Sequence, residues 1–92
     1  MNEEYIIIQE ESATYLCRKT EYGCEVLAQK GSDKVHRPAT KGWVRYKFRL
    51  QCKWTKKNFS PPPAGVCYVE EPEYSPISKE EATAIMLIGK RL

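Results

Sequence analysis

Histidine is nearly missing from this 92-residue chain, with His36 the single one, and its scarcity removes most of the usual hydrolytic chemistry. Hydrolases and transferases of the common kinds need a nucleophile with a base in reach, or a metal with an open position. His36 sits among Gly, Ser, Asp and Pro with no partner for either role and reads as an ordinary loop histidine. No glycine-rich phosphate loop and no H-E-x-x-H or G-x-S-x-G arrangement occurs. Glu70-Glu71 and Glu80-Glu81 are adjacent pairs and cannot share one face. The expectation is a non-enzyme without cofactor or small-molecule substrate.

Long apolar runs are missing too. The run Tyr5-Ile6-Ile7-Ile8 follows an acidic start and is far shorter than a secretory core or a membrane span. The expected location is the cytoplasm, with no membrane partner. Cysteine knuckles are absent: six residues separate Cys17 from Cys24 and fourteen separate Cys52 from Cys67. Structural zinc sites usually present C-x-x-C turns. In a reducing compartment the four cysteines are therefore expected as thiols without metal, three of them as small core residues in strand patterns. A structural zinc adaptor is the weakest alternative. No low-complexity tract or internal repeat occurs, and the length suits one domain over residues 1–92.

What the chain does have is one strictly alternating stretch, Trp43 to Trp54. Val44, Tyr46, Phe48, Leu50, Cys52 and Trp54 fall on one face, and Trp43, Arg45, Lys47, Arg49, Gln51 and Lys53 on the other. Extended, it would span up to ~40 Å at about 3.3 Å per residue, which predicts a twist, bulge or break near Gln51. Charge is concentrated around it. Residues 1–30 carry net −3, residues 31–60 net +8 and residues 61–92 net −2, so the middle third holds nearly all of the positive field.

Around this strand the pattern predicts an α+β domain: an antiparallel sheet of four or five strands with one C-terminal helix packed on one face. Glu4 to Gln9, rich in β-branched residues, reads as a central strand covered on both sides. Ala13, Tyr15 and Cys17 alternate with Thr14, Leu16 and Arg18 in a second strand, and a third places Tyr22, Cys24, Val26 and Ala28 on one side. Short connections make these antiparallel neighbours. Lys30 to Gly42 and Lys56 to Gly65 read as loops. The second holds Pro61-Pro62-Pro63, a stiff connector whose Ala64 breaks P-x-x-P spacing. Val66 to Val69 is a short last strand. Ser78 with Glu81 forms a capping box for a helix to about Arg91, Lys90 and Arg91 suiting its negative end. Its apolar surface extends almost all round, so Ile85 and Leu87 or Ile88 are expected buried with Val44, Tyr46, Phe48 and Leu50.

A basic strand with aromatics nearby is how sheet proteins hold single-stranded nucleic acid. Arg45, Lys47, Arg49 and Lys53 are the candidate contacts, with Lys34, Arg37, Lys41, Lys56 and Lys57 extending the patch from the loops and Trp43, Tyr22 and Tyr68 offering stacking surfaces. The segment Lys41 to Phe48 is similar to the RNA-recognition-motif signature at its base-glycine-aromatic start, and departs from it at Val44, Arg45 and Tyr46. In size, in lacking catalytic machinery and in dense one-sided charge, the chain resembles the anti-CRISPR proteins of phages, as a type and through no shared motif. That resemblance implies an inhibitor acting in the host cytoplasm, docked by its basic face and loops on an RNA-guided surveillance complex so as to block target binding. A general single-stranded nucleic-acid-binding protein is the alternative.

Overall fold

The computed structural model describes residues 3–32, 39–55 and 66–91. Four strands follow as antiparallel neighbours: β1 (Tyr5–Gln9), β2 (Ala13–Lys19), β3 (Gly23–Gly31) and β4 (Val44–Thr55). β5 (Val66–Glu70) pairs with β4 in parallel, and β6 (Ser75–Ile77) pairs with β1. Helix α1 (Lys79–Ile88) follows, and β7 (Lys90–Arg91) returns to β4, also in parallel. The sheet order is β5-β4-β3-β2-β1-β6. The α+β class holds, but the described residues form a mixed sheet of seven strands, not an antiparallel one of four or five. β6 and β7 are too short to show periodicity, and Pro76 is tolerated in β6 because that strand is an edge.

β3, not β1 or β4, is the most deeply enclosed strand, with every residue from Gly23 to Gln29 buried. Its register with β2 slips at Leu16/Cys17, and with β4 it slips between Val26 and Ala28. Across the second slip, four β4 residues (46–49) stand opposite the single residue Leu27. This bulge, not a break near Gln51, relieves the long strand; Gln51 is paired with Glu25. Two expectations fail here. Phe48 is lifted out and 79% exposed, and Tyr22 stands outside the third strand, exposed, while Ala28 joins the opposite face from Cys24 and Val26.

Two apolar clusters lie on the two faces of the sheet. One joins Ile6, Ile8, Cys17, Cys24, Val26, Tyr46 and Cys52; the other joins Leu16, Leu27, Ala28 and Ala82, with Trp43, Ile77, Ile85 and Met86 against them. Helix α1 therefore packs on the second face, away from Tyr46 and Leu50. Ser78 Oγ accepts the Glu81 N–H at 3.1 Å and starts the helix. It ends at Ile88, capped by Gly89 and three residues short of Arg91, because Lys90 and Arg91 are strand residues. Only Ala82 is buried in the helix; Ile85 is half-buried, and Leu87 and Ile88, one or the other expected in the core, are 80% and 72% exposed.

The first face is curled inward by chain length. Five residue steps from Glu70 to Ser75 reach ~17 Å at most, whereas six strands laid flat would separate β5 from β6 by ~24 Å. Tyr74, on this crossing, stacks on Trp54 with ring centroids 5.5 Å apart, and its hydroxyl accepts from Lys19 Nζ at 2.8 Å. Among the described residues no helix is long and apolar enough to cross a membrane.

Candidate cationic binding face

The odd-numbered side chains of β4 turn to the helix side of the sheet, but they are not equivalent there. Arg49 is 71% exposed yet tied inward: its Nη1 lies 3.4 Å from Oε1 of Glu25, a carboxylate whose side chain is only 6% exposed. Arg18 Nη2 donates to the other oxygen of Glu25 at 2.9 Å, and that hydrogen bond raises the Arg18 pKa. Glu25 on β3 is thus held between guanidinium groups from β2 and β4. Sequence reasoning missed this group; its signal is a lone acid inside an apolar strand pattern, which needs a cation beside it.

Arg45 is half-buried. A Cβ built on Gly89 would stand 2.9 Å from its Cγ, so its stem runs beside the helix C-cap. Its Nε is buried without a hydrogen-bond partner among the described residues. Lys47 is exposed in the bulge with its Nζ 5.7 Å from the Phe48 ring centroid. Lys53 and Lys41 are exposed. Trp43 is half-buried against the Leu27–Ala82 cluster. Tyr68 is half-buried as well. Lys34, Arg37, Lys56 and Lys57, with His36 and the triple-proline connector, lie outside the described residues.

β7 extends the patch. Its Lys90 and Arg91 register against Val44 and Arg45, and the Lys90 N–H donates to the Trp43 carbonyl at 3.3 Å. Two exposed cations read as helix-end charges thus stand beside the basic strand, and the exposed Leu87 and Ile88 precede them across Gly89. Phe48 within β4 is exposed as well, and so is Tyr22, whose carbonyl meets the Trp54 N–H at the other end of that strand. The face can hold an anionic chain electrostatically, with exposed apolar residues near both ends of β4. Among the described residues no three His, Cys, Asp or Glu side chains are arranged to hold a metal ion. No family model, curated protein or solved structure matches this chain.

Proposed function

We propose that the protein works by occupation, not turnover: a non-enzymatic inhibitor of the anti-CRISPR type that docks its β4–β7 face on an RNA-guided nucleoprotein and blocks target nucleic-acid binding. The supporting observation is the pairing of β7 with β4, which sets cationic Lys90 and Arg91 beside Arg45 at the end of a helix whose Leu87 and Ile88 are bare. Free nucleic acid asks mainly for charge, whereas tight docking on an assembled complex needs desolvated apolar anchors as well. A second reading, a general single-stranded nucleic-acid binder, is favoured by Phe48, which stands out from the sheet between Lys47 and Arg49 as a stacking platform would.

The test uses Lys47→Glu, Lys53→Glu and Lys90→Glu together, because these side chains are exposed while Arg45 and Arg49 also serve the fold. Wild-type protein is incubated with an assembled surveillance complex and, separately, with unrelated single-stranded oligonucleotides over a salt series. The inhibitor reading expects binding to the complex at physiological salt, little to the oligonucleotides, and loss of complex binding in the variant with an unchanged melting temperature. The second reading expects oligonucleotide affinity with a log–log salt slope of about −0.7 per phosphate contact, flattened by roughly two units in the variant. Equal binding of wild type and variant to every partner overturns both.

A further inference from the structure

The inner face holds chemistry that the cationic face does not use. A cavity of about 470 Å³ opens on it, lined by Cys17, Cys24 and Cys52 together with apolar residues such as Ile8, Val26 and Leu50. The three cysteines are thiols, each buried from the bulk surface. Their spacing in sequence gives no hint of a site, but the sheet register does: Cys24 and Cys52 are direct partners across β3 and β4, and Cys17 on β2 lies diagonally beside Cys24, whose own partner there is Lys19. Directly opposed residues of an antiparallel pair have Cα atoms ~4.5–5.5 Å apart, inside the range a disulfide spans.

We propose that Cys24 and Cys52 form a peroxide-reactive dithiol site at the floor of this cavity, with Cys24 as the attacking sulfur and Cys52 as the resolving one. Cys24 is set apart by its surroundings. The Cys17 and Cys52 thiols flank its sulfur, and their S–H groups favour its thiolate enough to outweigh burial and pull its pKa below that of an ordinary thiol. The Trp54 indole N–H, buried without a hydrogen-bond partner among the described residues, favours the thiolate more weakly. Cys17 keeps its proton, its pKa raised by donating to Cys24 and then by burial. The Cys24 thiolate attacks one peroxide oxygen. The S–O bond forms as the O–O bond breaks, leaving a sulfenic acid on Cys24 and a hydroxide that takes up a proton as water. The Cys52 sulfur then displaces the sulfenic hydroxyl as a second water and closes the disulfide, so two thiols and one peroxide give one disulfide and two waters.

The lining also selects the oxidant. Glu10, Glu11 and Glu70 are the charged groups of the cavity, with no lysine or arginine among the described lining residues. A small neutral peroxide can enter, whereas an anionic disulfide such as that of glutathione is repelled.

The test is made on reduced wild-type protein with equimolar hydrogen peroxide, read by intact mass and by peptide mapping without reductant. The expected product has lost two hydrogens and contains one peptide pair joining Cys24 to Cys52. Cys67→Ser leaves this product unchanged, and Cys52→Ser instead gives a Cys24 sulfenic acid that dimedone traps. Alkylation of wild type by iodoacetamide gives a readout independent of any variant's folding. An ordinary thiol slows ~75-fold between pH 8 and pH 6, while Cys24 is expected to slow clearly less, because its neighbours lower its pKa. A disulfide that excludes Cys24, thiols that react only after denaturation, or an ordinary pH profile at Cys24 overturns the proposal.

Discussion

Single residues set how closely the strands approach. Gly23 lies where β3 meets β4 with no room for a side chain: a Cβ there would stand 2.2 Å from the Cys52 carbonyl oxygen and 3.0 Å from both Lys53 Cα and Trp54 N. The obstacle is backbone, so neither strand can yield without losing the neighbouring bond from Trp54 N–H to the Tyr22 carbonyl, 3.0 Å long. Gly23→Ala is therefore expected to destabilise by at least ~2 kcal/mol, seen as a lower urea midpoint. Gly42→Ala is the control, since a Cβ at Gly42 meets nothing within 4 Å, and it is expected neutral or slightly stabilising. Arg45 and Arg49 belong to the same scale. Charge alone made them contacts in the sequence; the structure gives Arg49 a buried carboxylate to hold and Arg45 a helix end to pack beside.

At the scale of elements, much of the chain is legible from its residues. The isoleucines of β1, the alternation of β2 and the Ser78 cap lead to the observed strands and helix start. The bulge at 46–49 is not legible, because hydrophobic alternation in one strand runs on unchanged while its partner supplies one residue for four. Register across three strands is likewise absent from sequence spacing, which is why the opposed cysteines look unrelated in the linear chain. The helix shows the limit of composition. Its apolar residues nearly encircle it, yet Ile85 and Met86 pack on the sheet while Leu87 and Ile88 face outward. Replacing both Leu87 and Ile88 by serine is expected to change unfolding free energy by no more than about 0.5 kcal/mol while abolishing docking on a nucleoprotein complex. Ile85→Ser is expected to lower stability by ~2 kcal/mol or more. Denaturant titration and complex capture read the two effects separately. Retained capture by the double variant would remove the helix end from the interface.

The whole molecule depends on the crossing that bends the sheet. Residues 71–74 link β5, at one end of the strand order, to β6, at the other, and Tyr74 is the point at which this crossing grips the inner face. Its ring stacks on Trp54 with an interplanar angle of 21°, and its hydroxyl and ring both meet Lys19, whose Nζ also lies 3.4 Å from Glu4 Oε2. Strands β2 and β4, and through Lys19 the Glu4 that precedes β1, are thereby tied to one side chain. Because Tyr74 is half-buried, its truncation forfeits less than the ~3–5 kcal/mol of a fully buried aromatic, and about 2 kcal/mol is expected for Tyr74→Ala. For a domain of this size that corresponds to a melting temperature ~8–16 °C lower. Tyr74→Phe keeps the stack and loses only the hydroxyl contact, so a drop of about 1 kcal/mol is expected. Tyr22→Ala removes an aromatic that is 69% exposed and should leave the melting temperature almost unchanged. Calorimetry of the three variants distinguishes a crossing that holds the curl from one that merely lies across it: if Tyr74→Ala melts with the wild type, the bend is maintained by strand register alone.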